Sequence, residues 1–234
     1  MNIAVLVTAF DCEKQIVEIL RYLDSILPAQ PLIKAVFVIE NHSNDRTLEV
    51  TRVLIEQLQN RNLFKVYQND RNFGLGGSIK AAMNLCHTKK LQMTHLLVVH
   101  GNAVSSARDI PRMLDQLQKT NGKTVLGFRD KLSTTNRILK TLFTITTCRE
   151  IKDTGAYLNI YELEKLKMDH VLHFDSFLVF KPELLFYMIR KNIKYSWMPI
   201  SSELSPQIYN KKYFKYVWAA ATKAIFYRFK IYWN

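Results

Sequence analysis

His95-Leu96-Leu97-Val98-Val99-His100-Gly101-Asn102 is an apolar run closed by turn-forming residues. A strand in the middle of a parallel sheet is buried on both faces, so it reads as a continuous apolar run rather than as an alternation. The same signature lies upstream in residues 2–8, around Ile3-Ala4-Val5-Leu6-Val7, and in Lys34-Ala35-Val36-Phe37-Val38-Ile39. Phe64-Lys65-Val66-Tyr67 is a short third strand, 94–100 the fourth and Val125-Leu126-Gly127 the fifth. Helical periodicity fills the gaps. Residues 13–26 place Ile16, Ile19, Leu20 and Leu23 on one face, with Pro28 and Pro31 beyond the end; 45–60 place Val50, Val53, Leu54 and Leu58 inward. Gly76-Gly77 opens a third helix running to about Cys86, and 107–119 form a fourth with Pro111 in its first turn. This alternation predicts an α/β fold, a mainly parallel sheet flanked by helices on both faces. Ligands of such sheets bind outside the carboxyl ends of the strands. The residues just after each strand are therefore the candidate site.

The second half has a different rhythm. Residues 137–149 read as a helix, 151–161 as a short strand or irregular segment and 181–191 as a helix. Ile193-Lys194-Tyr195-Ser196-Trp197 alternates like a strand and is expected to stop at Pro199. There are no internal repeats and no low-complexity linker.

Composition narrows the functional classes. With 234 residues and 48% hydrophobic content, the chain has material for one core with a small appendage. Cys12, Cys86 and Cys148 are odd in number and widely spaced, which suits neither a disulfide framework nor a zinc knuckle and favours a reducing, cytoplasmic setting. No signal peptide and no membrane-spanning stretch is expected. The net charge of +13 calls for an anionic partner. Much of it sits at the C-terminal end. From Ser205 to Asn234 there is no acidic residue, against Lys211, Lys212, Lys215, Lys223, Arg228 and Lys230.

The strand ends carry chemistry. Thr8-Ala9-Phe10-Asp11-Cys12-Glu13 sets an aromatic beside a carboxylate, able to stack on a base and accept its N–H; an ordinary helix cap is the competing reading. In Glu40-Asn41-His42-Ser43-Asn44-Asp45-Arg46-Thr47, Glu40 is placed to take both hydroxyls of a ribose, and Ser43 onward also suits capping. Asn72-Phe73-Gly74-Leu75-Gly76-Gly77 allows close backbone approach and starts a helix whose N-terminus favours phosphate, with Lys80 one turn in. The glycines serve equally for close packing.

In order and spacing these segments resemble glycosyltransferase family 2, the GT-A (Rossmann-like) nucleotide-sugar transferases, and within it the polyprenyl-phosphate, dolichyl-phosphate mannose synthase-like branch. The first segment is similar to the family's Ala-Tyr-Asn-Glu-Glu, the second to its Asp-Asp-Gly-Ser-x-Asp-Gly-Thr, the third to its Asn-x-Gly-x-Gly-Gly/Ala. His100-Gly101-Asn102 falls where the family's Asp-x-Asp holds a divalent metal against the donor diphosphate; some bacterial relatives carry His-x-Asp. Gly127-Phe128-Arg129 resembles Gly-Ser-Arg. Asp153-Thr154-Gly155 sits where a polar-Gly motif lies beside the acceptor. Phe177-Leu178-Val179-Phe180-Lys181-Pro182-Glu183-Leu184-Leu185 resembles Asp-Phe-x-Phe-Asp-x-Glu-Leu-Leu, and Ile193 to Ile200 resembles Ile-x-Glu-x-Pro-Val, with Trp197 in place of the motif's one Glu, before the proline, and Ser201-Ser202-Glu203 where an arginine-tyrosine stretch is usual.

The resemblance covers residues 2 to 204. It implies a 1–204 domain, with 1–129 as the nucleotide half and 130–204 as the acceptor half, followed by a 205–234 tail. It implies an inverting transfer of sugar from a nucleotide-sugar donor to a glycan or polyprenyl-phosphate acceptor. Thr8, Ala9, Phe10, Asp11, Glu13, Glu40, Asn41, Ser43, Asn72, Gly76, Gly77, Lys80, Gly101 and Arg129 are the expected donor-binding residues. His100, Asp153 and Asp175 are the expected catalytic residues, the two carboxylates as general bases for a hydroxyl acceptor. A phosphate acceptor needs no base. Mg²⁺ or Mn²⁺ would have only Asn102 as a weak ligand, since hard cations want charged oxygen. Without metal, Arg129 and a protonated His100 would carry the charge. The substituted motif also leaves open a catalytically inactive relative that binds a nucleotide or scaffolds a partner enzyme.

In the tail, Phe214, Trp218, Ala221, Ile225, Phe229 and Tyr232 recur at helical spacing with lysines largely elsewhere. Such an amphipathic basic-aromatic helix suits an anionic membrane surface, so peripheral contact through 211–234 at a cytoplasmic face is expected. Packing on the core, or on a second subunit in a homo-oligomer, is the competing expectation. A nucleic-acid partner is not expected, since the aromatics make no single-strand platform.

Overall fold

The computed structural model describes residues 1–88, 92–177 and 179–201, together with Trp218, Ala219 and Thr222. The chain runs β1 (Ile3–Ala9), α1 (Glu13–Ile26), β2 (Ile33–Glu40), α2 (Thr47–Gln57), β3 (Phe64–Gln68), α3 (Gly74–Thr88) and β4 (His95–His100). It continues through α4 (Val104–Ala107), α5 (Ile110–Lys119), β5 (Thr124–Arg129), α6 (Thr134–Thr147), β6 (Leu158–Glu162), α7 (Met168–Val171), α8 (Phe180–Arg190) and β7 (Tyr195–Ile200). The strands form one seven-stranded sheet in the order β3-β2-β1-β4-β6-β5-β7.

β1 pairs in parallel with β2 and β4, β2 with β3, and β5 with β7; β6 alone runs antiparallel, between β4 and β5. Strands from both halves of the chain thus share one sheet. Successive side chains of a strand point to opposite faces, and β1 shows both faces buried. Ile3, Val5 and Val7 pack with α1, α2 and α5, while Ala4 and Leu6 pack with α3, α6 and α8. This two-sided burial is why β1, β2 and β4 read as unbroken apolar runs.

Several boundaries differ from the sequence expectation. α2 is trimmed to 47–57, and α3 begins at Gly74 rather than Gly76. The helix expected over 107–119 is two, broken at Arg108-Asp109. Pro199 does not end a strand: β7 continues to Ile200, with Pro199 opposite Phe128. β7 is the last strand of the sheet, and an edge strand tolerates a residue without an N–H. Its end is tied down by Asp109, which accepts the Ser201 N–H, and by Ser106 Oγ, which donates to Ser201 O at 2.7 Å. The helix expected over 205–234, and the membrane contact assigned to it, lie outside the described residues apart from Trp218, Ala219 and Thr222.

Candidate active site

The order β3-β2-β1-β4 reverses direction in the chain between β1 and β4, so a crevice opens outside their carboxyl ends. The ladder sets Thr8 opposite His100 and Ala9 opposite Glu40. At this point a cleft of about 280 Å³ is lined by Thr8, Ala9, Phe10, Asn41, Asn72, His100 and Asn102, with Cys12, Gly74, Leu75, Ser78 and Phe177 completing it. Phe10 and Phe177 are exposed aromatics on its walls, 41% and 53% accessible.

The loops at the cleft are fixed by hydrogen bonds to one another. Asp11 accepts from Asn44 N at 2.7 Å, while its own N–H donates to Ser43 Oγ at 3.1 Å. Glu13 accepts from Arg46 N at 3.2 Å and donates its N–H to Asp45 at 3.1 Å. The Asn41 side chain donates to Asn72 Oδ1 and accepts from Asn69 Nδ2, both at 2.8 Å, and from Phe73 N at 2.9 Å. Asn72 also accepts from Gly74 N. Three strand-end loops become one preorganised rim, so their geometry is set before a ligand arrives.

Several expected ligand contacts are replaced by structural ones. Glu40 is 1% exposed and its Oε1 accepts the Ser43 N–H at 2.6 Å, so it holds the loop rather than opening onto the cleft. Lys80 is engaged with the 172–176 segment: its ammonium donates to Leu172 O, Phe174 O and Ser176 Oγ. Burial lowers its pKa, with Asp175 and Glu183 opposing. Gly76 and Gly77 serve packing. A Cβ at Gly76 would lie 2.7 Å from the Phe180 side chain, and one at Gly77 would lie 2.4 Å from Phe73 Cβ. Gly101 lets β4 lie against β1, since a Cβ there would meet Thr8 O at 2.8 Å.

The carboxylates expected as bases are engaged as well. Asp153, its side chain 1% exposed, forms a two-pronged ion pair with Arg129 at 2.7 and 2.9 Å and accepts the Gly155 N–H at 2.8 Å. Asp175 accepts from Phe177 N at 2.7 Å and Val179 N at 3.2 Å, fixing the turn into α8.

His100 belongs to a cluster that the sequence reading did not assemble. Lys181 Nζ lies 3.2 Å from His100 Nε2 and also donates to Ala156 O. The Tyr157 ring sits 4.9 Å from the His100 ring, with Arg129 at 5.3 Å and Lys181 at 5.8 Å from its centre. Burial, then Lys181, then Arg129 drive the His100 pKa well below its ordinary value, so the ring is neutral. The cation expected here is therefore Lys181, not a protonated His100. A signal was present in the sequence: Lys181 stands at the second Asp of the Asp-Phe-x-Phe-Asp pattern.

A divalent metal does not suit this set. An ammonium can only donate, so it occupies the imidazole lone pair a metal would need. Asn102 offers only a neutral oxygen, and among the described residues no group of three or more His, Cys, Asp or Glu side chains could hold a metal ion. Two unit charges about 4 Å apart repel by about 4 kcal/mol at an effective dielectric near 20, and a divalent ion would feel roughly twice that from the ammonium.

The comparisons with known proteins agree with this architecture. The chain resembles glucosyl-3-phosphoglycerate synthase from Mycobacterium tuberculosis in complex with phosphoglyceric acid, with a TM-score of 0.68 at 13% identity over 98% of this chain and 79% of that one. The same enzyme with Mn²⁺, UDP-glucose and phosphoglyceric acid gives 0.70 at 12% identity over 97% and 79%. Mannosyl-3-phosphoglycerate synthase from Rubrobacter xylanophilus gives 0.72 at 11% identity over 98% and 74%. No curated protein matches the sequence. The sequence profile described as Glycosyl transferase family 2 matches residues 4–181, and with the sheet order and the cleft at its strand ends this places the chain in glycosyl transferase family 2.

Proposed function

We propose that the protein transfers a sugar from a nucleoside-diphosphate sugar to an acceptor, with residues 1–129 forming most of the donor cleft, Phe177 closing it, and the rest of 130–204 facing the acceptor. The carrying observation is the cleft of about 280 Å³ at the β1–β4 switch point, walled by Phe10 and Phe177 and lined by neutral polar groups. A base stacks between aromatics of this kind, and the Asn72 amide N–H groups and the Asn102 amide supply hydrogen-bonding groups for ribose and sugar. The acceptor oxygen attacks the anomeric carbon, the bond from that carbon to the diphosphate oxygen breaks, and the nucleoside diphosphate leaves.

Asp153 has both oxygens in its ion pair with Arg129, and Asp175 accepts two N–H groups at Oδ1, which disfavours either carboxylate as nucleophile or base. That supports direct displacement, hence inversion, and an acceptor that is already anionic. A polyprenyl phosphate at a membrane face fits this chemistry and the basic residues of 211–234. Among the described residues no helix is long and apolar enough to cross a membrane.

The same engaged carboxylates, with the substituted metal motif, favour a second reading: a nucleotide-binding relative without turnover. Radiolabelled UDP- and GDP-sugars incubated with polyprenyl phosphate and soluble phosphate acceptors separate the two. Labelled product with inverted anomeric configuration supports the transferase. Donor binding without product supports the inactive relative, and absence of donor binding overturns both. Sedimentation with anionic vesicles, with and without residues 211–234, tests the membrane role; equal sedimentation would refute it.

A further inference from the structure

We propose that Lys181, from its place behind His100, supplies the positive charge that a donor diphosphate needs at this end of the cleft, so that donor binding is independent of a divalent metal. The inference rests on the donor reading above.

Lys181 lies in the first turn of α8, and its ammonium reaches the tip of β4 at His100, a cleft-lining residue. The neighbouring cation, Arg129, is matched in charge by Asp153. Among the described residues Lys181 makes no ion pair with a carboxylate; its partners are His100 Nε2 and the carbonyl of Ala156. The local surplus of positive charge therefore resides on Lys181. No carboxylate is among the cleft's lining residues; Lys181 itself stands behind His100, in a small adjoining pocket that it lines with Asp153 and Ala156, so its charge acts on the cleft from the β4 tip. A metal cleft would be built the other way, with carboxylates converging to hold the ion.

The cation is also held in place. The Tyr157 ring carries His100, Arg129 and Lys181 around one plate, and the Ala156 carbonyl fixes the ammonium from behind. Cations held beside an aromatic face are oriented without being neutralised. A fixed charge aimed at a site where negative charge collects stabilises a leaving diphosphate with little reorganisation.

The test is calorimetric titration of UDP and GDP into the full-length protein in EDTA and in Mn²⁺. The expected result is binding in EDTA within about threefold of that in Mn²⁺. Lys181→Met should weaken diphosphate binding about tenfold or more, as for loss of one hydrogen bond to a charged group. It should leave uridine or guanosine affinity within about twofold, since an uncharged nucleoside makes no call on the ammonium. Lys181→Arg should retain most of the diphosphate affinity. If Lys181→Met fails to fold, the metal comparison and Lys181→Arg carry the test. Wild-type binding only with Mn²⁺, or unchanged diphosphate affinity in Lys181→Met, would overturn the proposal and leave the donor reading standing. Absence of nucleotide binding under every condition would overturn the donor reading itself.

Discussion

Arg129 and Asp153 are locked to each other: both ends of the guanidinium fork meet the carboxylate, at 2.7 and 2.9 Å, and the Arg129 N–H meets it again at 3.2 Å. The pair joins the end of β5 to the loop before β6 and sits under the Tyr157 ring. Removing the carboxylate leaves a buried guanidinium uncompensated, which typically costs about 3–5 kcal/mol. Asp153→Ala is therefore expected to lower unfolding free energy by about that much in urea denaturation. A general base would behave differently: its loss would spare stability and abolish turnover of a hydroxyl acceptor. Wild-type stability in Asp153→Ala would return Asp153 to the list of bases.

Cys12 lies on the floor of the cleft beside Gly101, its thiol pushed up to about 11 chiefly by burial. Burial pushes Cys86 up to about 12. At pH 8 the thiolate fraction of either is on the order of one in a thousand or less. Cys148 is exposed at the end of α6. Iodoacetamide at pH 8 should label Cys148 alone in the native protein and all three thiols in guanidinium, as read by mass spectrometry. Rapid native labelling of Cys12 would mean that the β1–α1 loop opens.

Much of the sheet was legible because parallel strands buried on both faces leave a plain apolar record. β6 was not. Its interior residue Asn159 is buried, accepts the Gly127 N–H at 3.2 Å and donates to Ala156 O at 3.1 Å. A polar residue that patches the junction of β5 and β6 erases the strand signal locally, and an antiparallel insertion leaves no mark on periodicity. Thr8, Phe10, Asn72 and His100, expected from their places at or soon after strand ends, do line the cleft. Glu40, Lys80 and the glycine pair, expected at the donor, are held in structural contacts for a common reason. Residue types that bind ribose and phosphate also cap loops and relieve close contacts, and only the partner across the cleft decides. Tyr157 and Lys181 come from distant segments that local pattern cannot bring together.

Lys80 offers a direct check on that ambiguity. Its ammonium gathers Leu172 O, Phe174 O and Ser176 Oγ, so it fixes the segment that carries Phe177 over Gly74. Lys80→Met should loosen an aromatic wall rather than remove a phosphate contact. UDP and uridine affinities should fall by the same factor, about five- to tenfold, at the low end of the range for one base–aromatic stack. Loss of UDP affinity alone would place Lys80 at the diphosphate.

The pH dependence of nucleotide binding has a sign that identifies its source. Burial, then the Arg129 charge, lower the Lys181 pKa to about 7, with Asp153 pulling upward. His100 stays neutral through this range, Arg129 stays charged, and Tyr157 faces the cluster as a ring. Lys181 is thus charged below about pH 7 and loses its proton above it. A bound diphosphate favours the charged form, so the midpoint of the complex lies higher. Affinity for UDP or GDP in EDTA should therefore be greatest near pH 6 and decline as pH rises through 7 to 9. Ionisation of the terminal phosphate, with a pKa near about 6, acts in the opposite sense by adding ligand charge as pH rises. Lys181→Arg keeps its charge throughout and should show only that rising component. A declining profile in Lys181→Arg, or a rising one in the wild type, would assign the pH dependence to a group other than Lys181.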